Sequence, residues 1–100
     1  MIEQHYYVYV IELDDAAGPR TRPDRPVVYV GQSSRPPEER FRQHLAGHKA
    51  SRWVRKHGLR LRPRLYRAHN PLPTQAAALA MEKELARRLR KRGYLVRGGH

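Results

Sequence analysis

Two tyrosines, an arginine and a histidine stand at spacings that could bring them to one place. Tyr9 closes the tripeptide Tyr7-Val8-Tyr9, and Tyr29 opens the tripeptide Tyr29-Val30-Gly31. Arg40 follows Tyr29 by eleven residues, and His44 follows Arg40 by four. Such groups suit the cutting of a phosphodiester: phenols and imidazoles hold or move protons, and a guanidinium neutralises phosphoryl oxygens. Each also has a plainer reading. Strand tyrosines usually pack, and an arginine and histidine at i, i+4 can be a surface cation beside a satisfied imidazole. The chain nevertheless has six tyrosines and one phenylalanine, placing many hydroxyls where bare rings would pack equally well.

Glu82 adds a carboxylate. At about 100° per residue, Leu79, Leu85, Ala86 and Leu89 form the apolar stripe of a helix, and Glu82 lies at its centre. Glu84 projects from the opposite side among Lys83, Arg87, Arg88 and Lys91. Burying an unpaired carboxylate is costly, so Glu82 needs either an internal arginine or a polar cleft where it holds a divalent cation. Magnesium commonly takes one or two carboxylates and completes its shell with water and phosphate oxygens. A single such acid suits one metal better than two.

The elements that must position these groups follow from local pattern. Residues 5–13 form an apolar, aromatic and β-branched run that reads as a strand. Tyr7, Tyr9 and Ile11 share one face of it, and Tyr6, Val8 and Val10 the other. Residues 14–26 are a loop broken by Gly18-Pro19 and further prolines. Residues 27–31 read as a second strand, antiparallel to the first. Ser33-Ser34 offers a cap for a helix that has Pro36 and Pro37 in its first turn and runs to about Leu45. On it Arg40 and His44 share a face, with Phe41 and Leu45 as the neighbouring seating stripe. A shorter helix over about 49–57 ends at Gly58, with Trp53 expected in the core. Leu59, Leu61 and Leu65 alternate with Arg60, Arg62 and Arg64 as a third strand, which Pro63 assigns to an edge. Thr74 then caps a last helix from Gln75 to about Arg92. The expectation is one α+β domain over 1–100.

Composition bounds the partner. The chain of 100 residues carries 21 Lys+Arg against 9 Asp+Glu, a net charge of +12, and has no cysteine. That excess exceeds what solubility requires and points to a polyanion, with nucleic acid ahead of a membrane surface. The preference for arginine fits forked phosphate contacts, although GC-rich coding gives the same bias. No apolar stretch approaches a membrane span and the N-terminus is not laid out as a signal peptide, so a cytoplasmic location is expected. Disulfides and thiolate metal sites are excluded.

In order, these residues resemble the GIY-YIG endonuclease family. Tyr7-Val8-Tyr9 stands at the first tripeptide, with Tyr7 in the glycine's place, and Tyr29-Val30-Gly31 matches the second. Val28 to Ser33 followed by Glu39-Arg40-Phe41-Arg42-Gln43-His44 is similar to the family's strand, loop and helix bearing the arginine and histidine. His48 matches a further histidine position, and Glu82 falls where the family's metal-binding glutamate lies. The segment between the tripeptides is longer than usual and carries Arg20, Arg22 and Arg25. Arg97 lies in the region where many members have an asparagine.

The resemblance implies a small three-stranded antiparallel sheet flanked by about three helices, one Mg2+ or Mn2+ on Glu82, and hydrolysis of DNA, with RNA not excluded. Tyr9 would be the general base, its own proton accepted or oriented by His44. A phenol with its ordinary pKa of about 10 needs help in that role, and Arg40 and the metal would supply it. Tyr29 would hydrogen-bond the phosphate or a metal-bound water. Gln32, Ser33, Arg42, His48, Lys49, Arg52 and Arg97 are the expected nucleic-acid contacts. A basic binding module that does not cut is the alternative from another class, and an RNA- or ribosome-associated basic protein is a third, resting on charge alone. Target choice is left to DNA shape, to the 14–26 loop, or to a protein partner or second copy.

Overall fold

The computed structural model describes residues 4–99. Its strands are β1 (Tyr7–Leu13), β2 (Val27–Ser33), β3 (Gly58–Leu61) and β4 (Val96–Gly98), and its helices are α1 (Pro37–Leu45), α2 (Arg52–His57) and α3 (Gln75–Lys91). The fold is α+β, as expected, but the sheet has four strands in the order β3-β1-β2-β4. β1 pairs antiparallel with β2 and β3, whereas β4 runs parallel to β2. The expected three-stranded antiparallel sheet is therefore corrected to a four-stranded mixed one. β4 has three residues, and its identity comes from pairing Val96, Arg97 and Gly98 with Val28, Tyr29 and Val30. No local pattern of that length distinguishes it from a tail.

β1 is covered on both faces, with Val8, Tyr9, Val10 and Ile11 all buried. A strand enclosed on two sides is the rigid member from which a site can be built. The expected third strand is shorter than its alternation indicated. It ends at Leu61, and Pro63–Leu65 turns into a 3-10 helix, consistent with proline's missing donor. Arg60 and Arg62 both reach back to Glu12 on β1, at 2.9 and 2.8 Å. Beyond β3, Asn70 continues the edge of β1: its Oδ1 accepts from the Val8 amide and its Nδ2 donates to the Val8 carbonyl, at 2.9 and 2.8 Å. One amide side chain thus replaces a strand partner next to Tyr9.

α1 is shaped by Pro37 in its first turn and by Glu38 and Glu39 at its positive end. Pro36 rather than a serine takes the cap position, and the Ser33 hydroxyl instead accepts from the Arg35 amide. α2 begins later than expected, because Ser51 caps it through the Trp53 amide. α3 is capped by Thr74, whose hydroxyl accepts from the Ala77 amide, and it packs on β2 and β1. Its buried residues are Ala78, Glu82, Leu85, Ala86 and Leu89. Leu79, assigned to the stripe from periodicity, is exposed, and Ala78 takes the core position.

Trp53 is half-buried at the rim of the core, with the guanidinium groups of Arg52 and Arg97 at 5.3 and 4.3 Å from its ring. Within the 14–26 loop Arg20 pairs with Asp15 and Arg22 with Asp24, and Arg25 joins the loop to the rest of the fold by lying over Tyr94. Among the described residues no helix is long and apolar enough to cross a membrane.

Candidate active site

Register fixes the first wall of the site. Tyr9 lies opposite Gly31 and Ile11 opposite Tyr29, so both phenols and Gly31 share one sheet face. α1 brings His44 onto that face. The rings of Tyr9, Tyr29 and His44 form a triangle, with centroids 6.3 Å apart for the tyrosines and 5.9 Å from each to the imidazole. The glycine of the second tripeptide has a steric reason. A Cβ on Gly31 would stand 2.5 Å from Tyr9 Oη and 3.0 Å from the Tyr29 ring. The Tyr9 phenol occupies the space that a side chain there would take. Gly31→Ala is expected to displace the Tyr9 hydroxyl from His44 and to destabilise the fold by about 1–3 kcal/mol, typical of overpacking. Urea unfolding of the variant checks the expectation, and unchanged stability would mean that the ring moves aside freely.

His44 is 1% exposed. Its Nδ1 accepts a hydrogen bond from the Ser51 amide at 3.0 Å. A nitrogen that accepts from a backbone N–H carries no proton, so the neutral imidazole holds its proton on Nε2. That nitrogen lies 2.9 Å from Tyr9 Oη. His44 therefore donates to the Tyr9 oxygen. The expectation that His44 could accept the Tyr9 proton does not suit this tautomer, whereas orienting the phenol does. Ser51 is not among the residues expected at the site, although a serine at a helix start is a capping signal and Ser51 caps α2.

Burial, with Arg40 adding to it, pushes the His44 pKa down from 6.5 to about 4. Between those values the unfolded chain binds a proton that the folded chain refuses, so this contribution to stability is complete above pH 6.5 and falls as pH drops toward about 4. Urea unfolding from pH 7 to 4 is expected to show that loss in wild type and to lack its His44 component in His44→Gln. Equal pH slopes in the two proteins would contradict it.

Tyr9 is held well above the ordinary phenol range. Burial is the main cause, with Tyr29 and Glu82 raising it further and Arg40 pulling it down. Tyr29 is raised as well, again chiefly by burial and by Glu82, while the Ser51 hydroxyl and Arg40 oppose the rise. Glu82 is 7% exposed on α3, and its charge reaches both phenols. Glu84, by contrast, points outward to Arg87 and Arg88, which hold its carboxyl down at about 2.

Arg40 reaches away from the helix. Nη1 donates to Gln43 Oε1 and the His48 carbonyl at 3.2 and 3.1 Å, and Nη2 donates to the Lys49 carbonyl at 2.8 Å. These bonds use three of its five N–H donors, and its charge still acts on Tyr9. The other expected contacts divide by position. Ser33, His48 and Lys49 border an open pocket beside Arg40. Gln32 pairs with Val8 in the register and so points to the sheet face opposite Tyr9. Arg42 and Arg52 are exposed. Arg97 is occupied: its Nε and Nη2 donate to the Ala17 carbonyl at 3.0 and 2.9 Å, locking β4 to the 14–26 loop.

As a metal holder, Glu82 offers one hard oxygen donor group whose charge acts on both phenols. Among the described residues no group of three or more His, Cys, Asp and Glu gathers as a cage. One carboxylate, with water and phosphate oxygens completing the shell, suits magnesium or manganese and does not suit a closed zinc site.

A search of curated proteins and a search of solved structures each found no match. The family model described as the GIY-YIG catalytic domain matches residues 5–95. That span takes in both tripeptides, the α1 arginine and histidine, and the α3 glutamate, and the chain belongs to the GIY-YIG nuclease family.

Proposed function

We propose that this protein is a divalent-metal-dependent endonuclease that hydrolyses DNA phosphodiester bonds with Tyr9 as general base. The observation that carries the reading is the buried chain Ser51 N–H, His44, Tyr9 Oη, at 3.0 and 2.9 Å. A packing tyrosine requires no imidazole held in one tautomer against its oxygen. Tyr9 first gives its own proton to solvent, and a donor fixed there stabilises the phenolate left behind, the form that then takes a proton from the attacking water. Tyr29 lies beside it to hydrogen-bond the phosphate, and Arg40 opposes negative charge on both phosphate and phenolate. Glu82 is the residue to hold Mg2+ or Mn2+, and the bound ion supplies positive charge against the phosphate and the phenols.

DNA is held mainly by its backbone, through exposed cations on α1, α2 and α3, so affinity falls steeply with salt. In the 14–26 loop Arg20 and Arg22 pair with exposed acids of the same loop and Arg25 lies over Tyr94, and target choice rests with DNA shape, this loop, a protein partner or a second copy. Chelator is expected to stop nicking while leaving DNA binding measurable by fluorescence anisotropy. Nicking that continues in chelator would remove the metal from the reading.

A further inference from the structure

Two open pockets on the surface are rich in cations, and they differ in what their charges already hold. The first is lined by residues 60–64 at the sheet edge. Its Arg60 and Arg62 both grip Glu12, so part of its charge is answered internally. The second, of about 290 Å³, is lined by Ser33, Ser34, Arg35, Arg40, Gln43, His48 and Lys49. No carboxylate is among its lining residues, and the acid paired with its Arg35 is Glu39, at the 4.0 Å limit of an exposed ion pair. It presents three permanent cations, two hydroxyls, an amide and an imidazole, a donor set matched to phosphate.

The backbone around this second pocket is held in an unfavourable form. Lys49 has φ +44°, a left-handed conformation that costs a residue with a side chain about 1–2 kcal/mol. Arg40 sustains it by donating to the carbonyls of both His48 and Lys49, and the His48 amide adds a bond to the Gln43 carbonyl at 2.9 Å. The strained loop sets His48 and Lys49 across from residues 33–35. Arg40 therefore has two sides, one acting on Tyr9 and one forming the pocket.

We infer that this pocket seats one phosphate of the nucleic-acid strand, next to the phosphate positioned at Tyr9 and Tyr29. Arg35 and Lys49 are its principal cations and Ser33 and Ser34 its hydroxyl donors. Arg40 organises it by holding the 48–49 backbone. That the phosphate belongs to a strand being cut rests on the nuclease reading, but the existence of the site does not.

The test is a titration with inorganic phosphate at constant ionic strength, followed by backbone amide NMR. Saturable shifts are expected at residues 33–35 and at Lys49, with binding about tenfold weaker in the Arg35→Ala/Lys49→Ala protein, the loss expected for charge-assisted contacts. Both residues are exposed, and the same spectra report whether the variant is folded. Shifts that never saturate, that spread evenly over surface arginines, or that saturate with unchanged affinity in the double variant overturn the site. A second arm uses oligonucleotides with one uncharged methylphosphonate at successive positions. Wild type should lose affinity at one position flanking the contacted phosphate, and the double variant should not. If wild type binds phosphate here yet cuts nothing, the pocket stands and the nuclease reading falls.

Discussion

Tyr9→Phe should fold like the wild type and cut DNA on the order of 10²–10⁴-fold more slowly, the contribution of a positioned proton acceptor. Phenylalanine keeps the ring that packs against Tyr29 and His44. It removes the oxygen, leaving the buried Nε2–H of His44 without the acceptor 2.9 Å away. That unmet donor should lower stability by about 1–3 kcal/mol, a loss visible in urea but too small to unfold a typical domain. The pH dependence separates chemistry from stability. Tyr9 is held protonated by burial and by Glu82, so the wild-type single-turnover rate should climb about tenfold per pH unit through the neutral range. The residual rate of Tyr9→Phe should be nearly flat. A wild-type profile with a limb near the ordinary histidine pKa, or a Tyr9→Phe protein as fast as wild type, would move the base elsewhere.

Glu82→Gln carries the second large effect, and its sign is diagnostic. The carboxylate raises the pKa of both phenols, so removing its charge by itself would make Tyr9 easier to ionise and speed a reaction in which Glu82 were a bystander. If Glu82 holds the cation, the lost charge stabilisation of several kcal/mol corresponds to about 10³-fold or more in rate and overwhelms that gain. Cleavage should therefore fall by at least that order. DNA affinity in chelator should hold or rise slightly, because one negative charge has left a basic surface. Faster cutting would make Glu82 an electrostatic brake. Loss of fold and binding together would assign it to an internal ion pair.

The sequence showed the candidate cluster more clearly than the sheet that carries it. Tyr9, Tyr29, Arg40 and His44 were legible because strand alternation and the i, i+4 helical spacing are local rules, and the structure brings the rings together. Glu82 was legible as an acid at the centre of an apolar face, and it is buried. Glu12, an acid within the apolar run of β1, carries the same kind of signal, and it is buried too. Its partners on residues 60 and 62 lie far along the chain. Leu79 misled because helical periodicity gives a face and not the width of what covers it. β4 and the Asn70 bonds to Val8 were invisible because each exists only through pairing with a distant strand. Ser51 shows the same limit at a single residue: its side chain signals a cap, but the amide that fixes the His44 tautomer has no signature in sequence.

The most direct test compares wild type with Glu82→Ala on plasmid, single-stranded and branched DNA, in magnesium or manganese and then in chelator. Metal-dependent nicking of at least one substrate is expected from the wild type, and none from Glu82→Ala protein that remains folded and DNA-bound. If the wild type nicks nothing that Glu82→Ala leaves intact, the chain is a binding module on a nuclease scaffold and the proposed chemistry is wrong.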